Sequence, residues 1–205
     1  MNIIDTLDWI GSRVLAFLEE IGRGGTLLWQ VLRGLLRRPF PLKLTIQQME
    51  EVGVRSLPVV VITAVFTGAV LALQTFSGFQ RFGAEGLVGT VVALSMTREL
   101  GPVLASIMVA GRVGSAMAAE LGTMRVTEQI DALITLATDP VRYLVVPRFL
   151  AGMIMLPFLV VFADLIGILG GYFVAVNVLG TSSTIYVNRT LQYLEFSDAV
   201  SYTHL

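Results

Sequence analysis

Leu57 to Phe76 is a run of 20 residues without a charged side chain. A bilayer's hydrocarbon core is about 30 Å thick, and a helix of about 20 apolar residues crosses it. That single stretch takes the chain out of the soluble classes. Composition agrees: 55% of the 205 residues are hydrophobic, 14% are charged and the mean hydropathy is +0.77. Soluble domains carry about 25% charged residues. A net charge of -1 gives no field that would gather nucleic acid. With no cysteine, and a single histidine at His204, thiolate chemistry and histidine-based catalysis or metal binding are unsupported.

Two further apolar segments follow. The expected membrane spans are 56–78, 87–119 and 149–177, separated by a short polar connection around Arg81 and a longer polar loop at 120–148. The second span is interrupted by Arg98, Glu99, Pro102 and Arg112, the third by Pro157 and Asp164. Residues 177–205 show no informative pattern.

Ahead of the spans, Ile3, Leu7, Ile10, Val14, Phe17 and Ile21 recur at helical spacing, with Asp5, Asp8, Ser12, Glu19 and Arg23 between them. This is amphipathic and too polar to cross a bilayer, so residues 1–45 are expected to lie in the membrane interface as one or two helices loosened at Gly24-Gly25, the alternative being a soluble helix packed on a partner. Trp29 suits headgroup depth, and Arg37, Arg38, Pro39, Phe40, Pro41 and Lys43 form a basic, proline-broken turn. The acidic residues near the start do not read as a secretory signal.

Orientation follows from Lys and Arg. Seven precede the first span, Arg81 alone lies in the first loop, and Arg125, Arg142 and Arg148 lie in the second. The N-terminus and the 120–148 loop are therefore expected in the cytoplasm, giving an in–out–in–out path.

Four features carry functional candidates. Arg98 and Glu99, followed by Gly101-Pro102, place charge at membrane depth, which costs at least roughly 2.5–3.5 kcal/mol per side chain. They serve either as a polar patch or gate meeting a headgroup, or as a local ion pair beside a proline-kinked helix. Ala110, Gly114, Ala118 and Gly122 stand four apart, with Gly111, Ser115 and Ala119 beside them. Such small residues let helix backbones approach closely, so helix packing is their expected role. In 120–133, Thr127 is expected to cap a short helix whose first turn holds Glu128 and Asp131, with Met124, Ile130 and Leu133 as apolar contacts. That helix either docks on a soluble partner or merely turns the chain. Asp164 is expected to hydrogen-bond a neighbouring helix, and Gly167, Gly170 and Gly171 to mark another close contact. No GxxxxGK[ST] phosphate loop occurs, so an ATP-driven role requires a motor on another polypeptide.

The pieces GAVLALQ (68–74), ALSMTRELGPVLASIMVAGRVGSAMAAELGTMRVTEQIDAL (93–133), ATDPVRYLVVPRFLAGMIMLP (137–157) and GILGG (167–171) resemble the MlaE family of ABC permeases. The resemblance implies an all-α integral membrane protein of the bacterial inner membrane, with an N-terminal interfacial helix and a short cytoplasmic coupling helix. It implies a homodimer that moves phospholipids between inner and outer membrane and maintains outer-membrane lipid asymmetry. It implies a cytoplasmic ABC ATPase holding ATP and Mg2+, a STAS-domain protein and a periplasmic MCE-domain protein as partners. The permease itself is then non-catalytic and binds no cofactor. By the same resemblance Leu73, Gln74, Arg98 and Glu99 line the lipid pathway, and Glu120, Gly122, Met124, Arg125, Glu128 and Asp131 belong to the coupling segment. The family has five transmembrane helices against three expected here, so residues 1–205 read as one permease domain incomplete at its C-terminal end, with 201–205 a poor fit to the pattern. The competing readings are a proton-coupled carrier titrating Glu99 and Asp164, and a non-transporting scaffold.

Overall fold

A computed structural model describes residues 3–36 and 42–193. The basic turn expected at 37–41, His204 and the 201–205 segment lie outside the described residues. Among those described the secondary structure is entirely helical: α1 (Ile3–Leu35), α2 (Leu42–Met49), α3 (Leu57–Phe79), α4 (Val88–Ser95), α5 (Gly101–Val126), α6 (Gln129–Thr135), α7 (Val146–Asn177) and α8 (Ser183–Tyr193). Single π-turns at Glu50–Val54, Met96–Leu100 and Val141–Val145 lead into α3, α5 and α7. Three continuous helical stretches, Leu42–Phe82, Glu85–Val126 and Val141–Asn177, are long and apolar enough to cross a membrane. The three expected spans are therefore present.

Helix α1 is unbroken for 33 residues, about 50 Å, and runs straight through Gly24-Gly25. Two such glycines cost a helix about 2 kcal/mol relative to alanine, a loss that strong helix formers and the Arg23–Glu19 pair at 2.7 Å help to offset. Trp9 and Trp29 are exposed, and Arg13 sits 5.2 Å above the Trp9 ring. Near its end α1 touches the rest of the chain, where Val31 is buried and Gly34 lies close to Val146.

The core lies between α3, α5 and α7. Toward the start of α3 it is built on Val60, Ala64, Val109, Val113, Ala151 and Leu159, and toward α8 on Ala72, Val88, Val92, Met96 and Ala175. α3 and α7 approach most closely, and glycine is why. A Cβ on Gly68 would fall on the Gly167 carbonyl, and one on Gly170 would lie 2.6 Å from the Val65 carbonyl oxygen. Backbone packs on backbone there, as helices adhere in lipid. The expected close contact at Gly167, Gly170 and Gly171 is present.

The two ends of the bundle differ. At one end α1 and α2 pack on the start of α7 and the turn before it, α6 packs on α5, and Glu120–Arg148 at 2.7 Å and Arg112–Ser56 at 2.8 Å join α5 to α7 and to the start of α3. At the other end α8 folds back over α4. Tyr186, 2% exposed, donates to the Ile168 carbonyl at 3.3 Å and packs edge-on to Tyr172. Thr190 donates to the Gly89 carbonyl at 3.3 Å. The patternless stretch after residue 177 thus contains a helix, anchored by one tyrosine and one threonine.

Candidate functional site

The level of each charged residue can be read against Ser56, which stands where the charge-free run of α3 begins. Arg112 Nη1 donates to Ser56 Oγ at 2.8 Å, so Arg112 lies at the membrane interface, where a long basic side chain can reach water. From Arg112 to Glu99 the helix climbs about 20 Å, which sets Arg98 and Glu99 about two thirds of the way across a core about 30 Å thick, in the half away from Ser56. They leave the helix in the π-turn Met96–Leu100, where the Gly101 N–H bonds back to the Met96 carbonyl. Pro102 follows at once in the first turn of α5. Proline has no N–H to give, and the widened turn lets the helix pass it without a break. Both charged side chains are exposed at the chain's surface.

Beside them runs a groove of about 320 Å³ lined by Phe66, Thr67, Val70, Leu71, Gln74 and Leu100. Gln74, assigned by resemblance to the lipid pathway, lines it. Leu73 does not: it is 40% exposed on the neighbouring face of α3. Arg98 and Glu99 are not in the wall either, but Leu100 of their π-turn is, so α3 and that turn form one surface. Phe66 and Val70 went unnoticed in sequence although they stand four apart in line with Gln74, a visible stripe. Nothing in a span that is apolar on every side says which stripe faces outward.

Asp164 of α7 lies behind the same turn. It is 5% exposed, and its Oδ1 has no hydrogen-bond partner. The hydrogen bond expected to a neighbouring helix is not made at that atom. Instead the carboxyl packs against Gly101, where a Cβ would collide with Oδ1. The missing side chain at 101 makes room for the acid.

The coupling segment differs in two ways from expectation. α5 continues to Val126, past the apolar limit at 119, because Glu120, Leu121, Met124 and Arg125 favour helix whether or not lipid surrounds them. Thr127 is not the cap of α6. Its Oγ1 donates back to the Thr123 carbonyl at 2.8 Å, and Glu128, with φ of 58°, makes the reversal, so α6 begins at Gln129. Glu128 therefore precedes the first turn, while Asp131 lies within it. Arg125 and Asp131 clamp α5 to α6 at 3.1 Å. Glu120 pairs with Arg148, whose side chain is 8% exposed and also donates to the Leu144 carbonyl. Gly122 is exposed and Met124, Ile130 and Leu133 are half-buried, leaving Val126, Ile134 and Leu136 as the exposed apolar tip.

The small residues of α5 are turned outward. Ala110, Gly114, Ala118 and Gly122 are exposed, as are Gly111, Ser115 and Ala119, and nothing lies within 4 Å of a Cβ at Gly111, Gly114 or Gly122. Packing inside the chain uses the opposite face, Ala105, Val109 and Val113.

A family model described as Permease MlaE matches residues 45–203. A probable ABC transporter permease protein of Rickettsia felis is 49% identical over 199 residues, which is 97% of this chain and 77% of the relative. The intermembrane phospholipid transport system permease protein MlaE of Haemophilus influenzae is 41% identical over 183 residues, 88% of this chain and 69% of the relative. The chloroplastic protein TRIGALACTOSYLDIACYLGLYCEROL 1 of Arabidopsis thaliana is 40% identical over 172 residues, 84% of this chain and 49% of the relative.

Proposed function

The chain belongs to the MlaE permease family, and from that premise we propose that it is the lipid-handling half of an ATP-driven phospholipid transporter. Its place is the bacterial inner membrane, with α1, α2 and α6 on the cytoplasmic side. The observation that carries this reading is the outer-half groove with Gln74 in its wall and the Arg98–Glu99 turn beside it. Apolar walls suit acyl chains. A guanidinium and a carboxylate at that depth suit a headgroup, because ionised side chains in lipid are retained where they meet a polar ligand or cavity.

Work is supplied from outside the chain. A separate cytoplasmic ATPase holds ATP and Mg2+, and the α6 tip docks on it through Val126, Ile134 and Leu136. Glu128 and Asp131 supply the charged rim of that contact. Arg125–Asp131 and Glu120–Arg148 then pass its movement to α5 and α7 as rigid elements. The outward small-residue row Ala110, Gly114 and Ala118 is the packing face toward a second copy. A STAS-domain protein and a periplasmic MCE-domain protein complete the assembly, and its cellular effect is to maintain outer-membrane lipid asymmetry.

A pull-down of the full-length gene product from detergent-solubilised membranes tests the assembly. An ATPase and an MCE-domain protein are expected to co-purify; if both are absent, this reading fails. A proton-coupled carrier is the second reading, favoured by the buried, unpartnered Oδ1 of Asp164. It requires lipid movement driven by a pH gradient with no ATPase present.

A further inference from the structure

Far from the outer groove, between the π-turn Glu50–Val54 and the inner half of α5, lies a cavity of about 440 Å³. It shares no lining residue with the outer groove. Arg112 forms part of its wall, which sets its membrane-side edge level with Ser56 and the start of the charge-free run. Glu120, about 12 Å further along α5, marks its other edge. That interval is the headgroup layer at the α6 end of the molecule.

Its charges sort into those already matched and those not. Glu51 is bound by Arg55 at 2.7 Å, and Glu120 by Arg148 at 2.7 Å. Glu50 makes no ion pair among the described residues. Arg112 spends one N–H on Ser56 and has four further donors. The amides of Gln47 and Gln48 stand beside them, and Val113, Ala116 and Met117 make an apolar side. The cavity thus offers one unmatched carboxylate, one guanidinium with donors to spare, and an apolar wall. An inorganic anion would use Arg112 and be repelled by Glu50. A simple cation would do the reverse. A phosphate ester carrying a primary amine uses both, and one that also carries acyl chains uses the apolar wall.

We infer that this cavity is a second lipid site, at the α6 end, which takes the amine-bearing phosphodiester headgroup of a zwitterionic phospholipid. The phosphate meets Arg112, the ammonium meets Glu50, and the chains leave along α5 toward the membrane. The inference rests on the reading that the chain handles phospholipid. It adds a headgroup preference and a place for lipid in the leaflet opposite the outer groove.

The test uses the full-length permease with its co-purifying subunits, in nanodiscs holding phosphatidylethanolamine and phosphatidylglycerol in equal amounts. A photo-crosslinking residue is placed at Ala116 and, in a parallel preparation, at Val70 of the outer groove. Mass spectrometry identifies what each captures. Ala116 is expected to capture phosphatidylethanolamine over phosphatidylglycerol by about tenfold, the discrimination one charge-assisted contact supplies. Glu50→Gln, an exposed substitution that the fold tolerates, brings the ratio close to one, and Glu50→Lys reverses it. Soluble glycerophosphoethanolamine, which lacks chains, leaves the capture unchanged. Equal capture of both lipids, an unaltered ratio in Glu50→Gln, displacement by the soluble ester, or capture of protein alone at Ala116 each overturns the inference. Lipid at Val70 with none at Ala116 removes this site only. No lipid at either position removes the transport reading as well.

Discussion

Helices α5 and α7 are both rich in small residues, and they use them in opposite directions. On α7, Gly167, Gly170 and Gly171 are buried, and α3 comes so close that backbone meets backbone. On α5, Ala110, Gly114 and Ala118 face away from the bundle and a Cβ at Gly114 would meet nothing. A row of small residues therefore announces a close approach without saying whether the partner lies in the same chain. The two rows divide the molecule's work: one holds the protomer together, and the other is free to hold something else.

Substitutions can separate these roles. Gly68→Ala has the largest expected effect, because the added methyl falls on the Gly167 carbonyl, and two helices must separate to admit it. Overpacking of this kind costs about 1–3 kcal/mol or more. Thermal unfolding in detergent should show a lower midpoint, and an unchanged midpoint would mean the close contact is not what holds α3 to α7. Next comes Glu120→Ala, which leaves the Arg148 guanidinium, 8% exposed, with the Leu144 carbonyl and no carboxylate. Glu120 itself is half exposed, so the loss is about 1–2 kcal/mol rather than the larger figure for a fully buried pair. Glu120→Gln should recover part of it, and failure to do so would assign the effect to something other than Arg148.

Asp131→Lys breaks an exposed clamp, and its effect on stability should stay below about 1 kcal/mol. Lipid-dependent ATP hydrolysis by the assembled complex should nevertheless fall, since a like charge then faces Arg125 and α6 turns away from α5. Normal hydrolysis with this variant would take the segment out of the coupling path. Gly114→Leu should cost the protomer no stability and gain it up to about 1 kcal/mol, because the site is open and glycine is the weaker helix former. Its effect should appear in assembly instead, as loss of the dimer in native mass spectrometry. A dimer that survives would assign the row to another partner.

Sequence legibility followed the same division. The spans could be read from charge-free runs because hydrocarbon penalises charge whatever the packing. Gly167, Gly170 and Gly171 could be read as a contact because glycine so spaced has little other use in lipid. The groove of Phe66, Val70 and Gln74 could not, since a helix apolar on every side shows no preferred face. Glu128 could not either: Thr127 has the side chain of a cap, yet its hydroxyl is taken by Thr123 and the reversal moves one residue on. α8 was hidden because its attachment is two side chains, Tyr186 and Thr190, rather than a periodic apolar face. Arg98 and Glu99 were legible as anomalies, and their depth became measurable only through the Arg112–Ser56 bond.

The central claim is that the outer-half groove and its charged turn handle lipid. It is tested most directly by measuring phospholipid exposed on the cell surface when the full-length protein carries Arg98→Ala together with Glu99→Ala. With the variant accumulating to the wild-type level, surface phospholipid should rise to that of a strain lacking the gene. Surface phospholipid equal to the wild type would contradict the claim and leave the chain a scaffold.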